Sequence, residues 1–284
     1  MKLLSYSHAG HAAWGAWIPA DAQGYDIVDG TRATDGHYAT LDAVIDACAL
    51  DTVATALADS RPSVRASEIE WRLPLRPRKL LAVGGNYREH AQEIGMTAPA
   101  APVFFSRFAD SLVAPHAAIV RPRVSMQLDF EGELAVVIGN PGRHIAEADA
   151  ARHIAGYTCF NDGSVRDFQK QSIEAGKNFH ASGSLGPWIV TADDVDDPTR
   201  CELRTRVNGE LMQQASTGEL IHSVSALIAY ASTFTPLAPG DVIATGTPAG
   251  IGARRTPPRW LRPGDVVEID ISGIGVLRNR VTDE

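Results

Sequence analysis

The chain has 284 residues, 44% of them hydrophobic and 21% charged, with a formal net charge of −8, enough length for one large core or two and no basic surface to attract phosphate backbones or anionic lipid. No run of apolar residues approaches the ~20 that span a bilayer, no leader pattern opens the chain, and Cys48, Cys159 and Cys201 stand far apart without a CxxC pair. These features lead us to expect a cytoplasmic protein with reduced thiols, no nucleic-acid partner and no membrane partner.

Residues 1–71 read as a small N-terminal α+β domain, with short alternating segments around Leu3 to Tyr6 and Trp14 to Ile18. A helix is expected from Leu41, because Leu41, Val44, Ile45 and Cys48 fall on one face, with Thr40 as N-cap and Asp42 in the first turn. Residues 72–79, RLPLRPRK, hold two prolines and a charge run, which predicts an extended, exposed linker. From Leu80 to the end, short β-type runs alternate with Gly, Pro, Asn and Asp, so residues 80–284 should form a mostly β domain with some α.

Within that domain, Leu81 to Gly95 (LAVGGNYREHAQEIG) reads as strand, glycine turn and short helix. Asn86 is the expected N-cap, with Glu89 as its capping-box partner. His90 and Glu93, three apart, share a helix face, and the carboxylate can raise the basicity of the imidazole to make a general base. A surface ion pair has the same spacing. Gly84 and Gly85 suit a hinge for a lid, or an ordinary strand-to-helix connection, and Gly95 suits the helix end.

Leu128 to Gly139 (LDFEGELAVVIG) is strand-like, and side chains two apart on a strand share a face, so Glu131 and Glu133 can converge on one ion. Close like charges favour a cation between them; a solvated acidic edge strand fits the same pattern. Gly156 to Gln169 (GYTCFNDGSVRDFQ) runs as a strand into a polar turn where Asp162 supplies a third oxygen. Such an all-oxygen set suits Mg²⁺, or Mn²⁺, and not zinc.

Near the C-terminus, LAPGDVI and LRPGDVV read as two type II turns that start strands, and Ser223 to Ser232 as a packing helix with Val224, Leu227, Ile228 and Ala231 on one face. Asp241 to Gly252 (DVIATGTPAGIG) is a strand and a glycine-rich turn able to aim backbone N–H groups at an anion, with Thr247 available to a substrate carboxylate. It carries neither the Walker ending nor the GxGxxG spacing, and a tight turn without a ligand explains the glycines equally well.

Five segments in order, GGNYREHAQE, LDFEGELAVVIG, GYTCFNDGSVRDFQ, GKNFHASGSLGPW and PGDVIATGTPAGIG, resemble the fumarylacetoacetate hydrolase family over residues 78 to 281. The resemblance implies a mixed β-sandwich roll, a homodimer and metal ligands at Glu131, Glu133 and Asp162. It also places a water-activating dyad at His90 and Glu93, an active-site lysine at Lys177, and substrate contacts at Arg166, Gln169 and Thr247. Read without it, Lys177 is a surface lysine and Arg166 with Asp167 a structural ion pair. Members often read NDVSARD where this chain has NDGSVRD, and a Cys-Pro pair where it has Gly183 and Ser184, departures that touch the pocket wall but remove no ligand.

On this reading the substrate is a small 2-oxo acid. The expected reaction is hydrolysis of a C–C bond in an acylpyruvate-like 2,4-dioxo acid through a metal-stabilised enolate. The alternatives are isomerisation or decarboxylation of hydroxymuconate-type diacids or oxaloacetate, dehydration or lysis of related acids, and a catalytically silent metal-binding scaffold. The distal pocket is expected from Phe104 to Phe108, the Ser182 to Trp188 loop and the N-terminal domain.

Overall fold

The N-terminal strands meet strands from the middle and later parts of the chain in one 11-stranded sheet, as seen in the computed structural model, which describes residues 1–284. Nine of its strands run in the order Ile27–Asp29, His11–Trp17, Lys2–His8, Gly183–Thr191, Ile154–Asn161, Gly132–Ile138, Val242–Ala244, Leu80–Gly84, Val103–Arg107, and two short ones pair off this path, Ile69–Trp71 on Lys2–His8 and Leu112–Val113 on Gly183–Thr191. A second sheet of five strands, Glu210–Ser216, Glu202–Val207, Val266–Ile271, Gly275–Asp283 and Ala118–Arg121, covers one face of it. The expected mostly β, α+β architecture is what forms.

Burial explains the patterning. Glu202–Val207 and Val266–Ile271 alternate between buried and half-buried residues, as strands with one face on a core do. Gly132–Ile138 is buried throughout. Its Leu134, Val136 and Ile138 join the five-stranded sheet in one core, whereas Ala135 and Val137 join Leu41, Val44 and Ile45 in another. Gly132 lets the two sheets approach closely, since a Cβ there would lie 2.1 Å from Thr205 Oγ1. The face opposite the acids, which the sequence leaves bare, is filled by the second sheet.

The first strand, Lys2–His8, pairs with Gly183–Thr191, and Leu3 and Trp14 share a core with Ala135, Leu185 and Val242. Residues 72–79 are not uniformly exposed: Arg72, Arg76 and Arg78 reach solvent, but Pro74, Leu75 and Pro77 are buried. The helix expected from Leu41 is capped by Thr40 yet ends at Asp46, and a second helix, Leu50–Ala58, follows. Cys48 therefore leaves the helical face. It takes φ 52°, with the Ala49 N–H donating to Val44 O and the Cys48 N–H to Ile45 O. That is the left-handed stop normally given to glycine.

Both Pro-Gly turns form, with Gly240 and Gly264 at φ 80° and 90°, and helix Val224–Phe234 is capped by Ser223. Asn86 does not cap the next helix, Arg88–Glu93, whose N-cap is Tyr87 and which carries no side-chain cap. The Asn86 amide instead donates to the carbonyls of His222 and Thr245 and accepts from the His222 N–H. Sequence spacing cannot distinguish such long-range bonds from a local cap.

Candidate active site

The expected acidic strand is interrupted. Leu128–Asp129 pairs with Ser164–Val165, pairing resumes at Gly132, and Phe130 and Glu131 lie between the two strands. Glu131 is held at this break, its N–H donating to Asn161 Oδ1 and its carbonyl accepting from the Asp162 N–H. Gly132 is the register partner of Asn161, so Glu133 and Asp162 arise side by side where the two strands begin and end. Carboxylate oxygens of Glu131, Glu133 and Asp162 all lie within 4.8 Å of one another, and each residue is at most 5% exposed. A solvated acidic edge is thereby ruled out.

Three cations brace these acids. Lys177 Nζ donates to Glu131 Oε2 and Asp162 Oδ2, each at 2.5 Å, and Lys177 is buried rather than a surface lysine. Arg166 donates to Asp129 Oδ2, Glu131 Oε1 and Gln169 Oε1. No Arg166–Asp167 pair forms, because Asp167 accepts from Ser125. Arg107, whose side chain is fully buried, donates to Asp162 Oδ1 at 2.5 Å and to Gly163 O, Ser111 and Ser182. Asp129 stays outside the triad and takes the N–H groups of Gly252 and Ala253.

Charge is unevenly shared. Burial alone would raise the Glu131 carboxyl, but the charges of Lys177 and Arg166 outweigh it and hold the group below the ordinary range. Burial, then the charges of Asp162 and Glu131, push the Glu133 carboxyl well above its usual value. Its only hydrogen bond comes from the Gly246 N–H, at 2.8 Å. A buried all-oxygen cluster with one under-compensated carboxylate fits a hard divalent cation in composition and in charge.

His90 Nδ1 lies 3.0 Å from Glu93 Oε2, and the other oxygen of Glu93 accepts from the Gly250 N–H at 2.9 Å. His90 is buried, so the pair is not an exposed surface contact. Gly95, at φ 78°, ends the helix as expected. The glycine-rich turn does aim N–H groups at anions, but the anions are the protein's own: Gly246 serves Glu133, Gly250 serves Glu93, and Gly252 serves Asp129. Thr247 is buried, its hydroxyl donating to Gly132 O and accepting from Gln213.

One cavity of about 670 Å³ brings together His90, Glu131, Glu133, Asp162, Arg166, Gln169, Lys177 and Thr247. Glu93 stands behind His90. The distal wall differs from expectation: Phe105 lines it, but no residue of 1–71 or of Ser182 to Trp188 does. Ser182 to Trp188 is not a loop, because strand Gly183–Thr191 threads it into the sheet. Ile94, Met96, Ile173, Ile251, Arg254 and Trp260 form the wall instead. Arg107 and Arg254 escape sequence reading because each belongs to the site through the fold alone.

Comparison with known proteins places these features among relatives. The family model for the fumarylacetoacetate (FAA) hydrolase C-terminal domain matches residues 79–282. The chain is 42% identical over 238 residues to the human mitochondrial oxaloacetate tautomerase FAHD2A, covering 82% of this chain and 76% of that protein. Among solved structures, fumarylacetoacetate hydrolase from psychrophilic Exiguobacterium antarcticum is 34% identical with a TM-score of 0.85, each chain covered in full. Maleylpyruvate hydrolase from Sphingobium sp. SYK-6, solved with a manganese(II) ion and pyruvate, is 28% identical with a TM-score of 0.82, covering 100% of this chain and 99% of that one.

Proposed function

The chain belongs to the fumarylacetoacetate hydrolase family of enzymes, and from that premise we propose that it is a divalent-metal-dependent tautomerase of a 2-oxo acid of the oxaloacetate type. The observation that carries this reading is the His90–Glu93 couple, braced by Gly250 and opening on the same cavity as the acidic triad. Glu131, Glu133 and Asp162 would hold Mg²⁺ or Mn²⁺, which when bound supplies Lewis-acid stabilisation of negative charge on a 2-oxo acid.

The chain's own groups do the proton work. Glu93 accepts the Nδ1 proton of His90, which leaves Nε2 of the imidazole as the base. Nε2 takes a proton from C3 of the substrate, the C3–H electron pair becomes the C2–C3 double bond as the C2–O π pair moves onto the oxo oxygen, and Nε2–H returns its proton to that oxygen, which gives the enol and restores the base. Nothing is oxidised or reduced. Lys177 and Arg166 keep positive charge beside the acids and so lower the cost of negative charge at the substrate. The buried inner end limits competing water.

Hydrolysis of an acylpyruvate, expected first from the sequence, is the second reading, favoured by the same couple, since a base that reaches C3 can also deprotonate a water. The discriminating assay follows enol absorbance and pyruvate release in parallel, on oxaloacetate and a panel of acylpyruvates, with Mg²⁺, with EDTA, and with His90→Ala. Tautomerisation that needs metal and His90 supports the first reading. Metal-dependent pyruvate release from acylpyruvates alone replaces it with the second, and neither activity sinks both. For the assembly, the exposed aromatic patch of Tyr230 and Phe234 packs on Phe104 of the sheet-edge strand Val103–Arg107, which supports a homodimer.

A further inference from the structure

A second cavity, of about 390 Å³, shares no lining residue with the catalytic one. It lies among the short helical turns Glu147–His153, Ala192–Asp194 and Thr217–Glu219, the start of strand Ile154–Asn161 and the start of helix Val224–Phe234. None of its lining residues is charged, and Ile154, Val195, Pro198, Leu220 and Val224 give it an apolar wall. Most of its hydroxyls are spent within the protein: Thr217 donates to the carbonyls of Pro198 and Cys201, Thr199 to Asp197, and Ser223 to Glu147, while Ser225 is half-buried and reaches solvent. Tyr157 is different. It lines the cavity, is 4% exposed, and its hydroxyl makes no hydrogen bond within the protein. Burial pushes this phenol up to about 12, ahead of the effects of Cys201 and Asp197, so the group stays a neutral donor. A buried tyrosine hydroxyl ordinarily has a partner, and leaving it without one costs free energy.

We propose that this cavity is a second binding site, separate from the catalytic one, for a small uncharged phenol or alcohol whose hydroxyl pairs with Tyr157. Its volume is in the range of small-molecule sites. A charged ligand would lose its water there and meet no counter-ion, which excludes the acids that suit the catalytic cavity. The wall is also tied to the catalytic elements through the backbone. Leu220 forms a β-bridge with Tyr87, the N-cap of the helix that carries His90, and the N–H groups of Ile221 and His222 donate to Asn86 O and Oδ1 at 2.7 and 2.8 Å.

The test titrates p-cresol and toluene, which differ by the hydroxyl alone, into the full chain as the natural protein, Tyr157→Phe and Ala151→Trp. Tyr157→Phe removes only an unbonded hydroxyl, and Ala151, exposed on Glu147–His153, can carry a ring that fills the cavity without entering the core. We expect p-cresol to bind the natural protein about 3- to 10-fold more tightly than Tyr157→Phe, while toluene binds the two alike. Ala151→Trp should lose both ligands. Hydrogen exchange under saturating p-cresol should slow at residues 217–222 and at Asn86 and Tyr87. Equal p-cresol affinity in the natural protein and Tyr157→Phe overturns the assignment. So does p-cresol binding that survives in Ala151→Trp, protection confined to the walls of the catalytic cavity, or no binding of p-cresol at millimolar concentration.

Discussion

Glu133→Gln in metal-free protein probes the balance of charge at the centre of the site. Glu133 is 1% exposed, lacks a salt-bridge partner, and faces Asp162 and Glu131. Because burial and those charges raise its pKa in the folded state, the folded protein binds the Glu133 proton more tightly than the unfolded chain does. The stability contributed by that proton is fully present below the unfolded value near 4.5 and is lost as pH rises toward the folded value. Within that window one proton corresponds to about 1.4 kcal/mol of stability per pH unit. At roughly 2–4 °C per kcal/mol, Tm should fall about 3–6 °C per pH unit from this group. Glutamine keeps an oxygen for the Gly246 N–H but has no proton to lose. In EDTA, the gap between Glu133→Gln and the natural protein should therefore widen with pH in thermal scans from pH 5 to 8. Mg²⁺ should raise Tm of the natural protein and not of the variant. Parallel Tm curves in EDTA would refute the charge argument, whatever the activity.

Three further perturbations test other parts of the structure. Glu93→Ala removes the partner of His90 and should lower turnover about 10²- to 10⁴-fold; unchanged kinetics would remove Glu93 from the mechanism. Arg107→Met leaves Asp162 buried without its fully buried partner and should cost roughly 3–5 kcal/mol in urea unfolding, while a loss below 1 kcal/mol would mean that Lys177 alone satisfies Asp162. Phe234→Glu places a charge in the exposed aromatic patch and should yield monomers in light scattering, with Tm little changed, and a dimer that persists would move the interface elsewhere.

How much of this was legible depended on how local the cause was. Thr40 capping its helix, Ser223 capping Val224–Phe234, the two Pro-Gly turns and Gly95 ending the His90 helix all follow from neighbours within a few residues. The composition of the triad was legible too, because three acids flank strands that read clearly as strands. The route to convergence was not: Glu131 is presented by a break between two short strands, and only the pairing of Gly132 with Asn161 shows why Glu133 and Asp162 are adjacent. Asn86 looked like a cap because its two long-range partners, at His222 and Thr245, leave no local trace. Cys48 in the left-handed stop defeated the glycine rule, and the helix was read too long.

The glycine-rich turn shows why composition alone pointed to the right place for an incomplete reason. Read from sequence, its N–H groups could face an external anion or nothing. In the fold each of three such groups takes a carboxylate of the protein itself, Glu133, Glu93 or Asp129. Glu133, its pKa raised by burial and then by its acidic neighbours, receives only that one bond, whereas Asp129 receives three N–H groups and an arginine. Neutral amides orient an acid without cancelling its charge, so Glu133 is fixed in direction and left electrostatically uncompensated. A fourth permanent cation here would satisfy the acids and stabilise the fold, but it would also fill the demand that makes a cation site. One segment thus aligns the acid cluster through Glu133 and Asp129 and orients the base through Glu93.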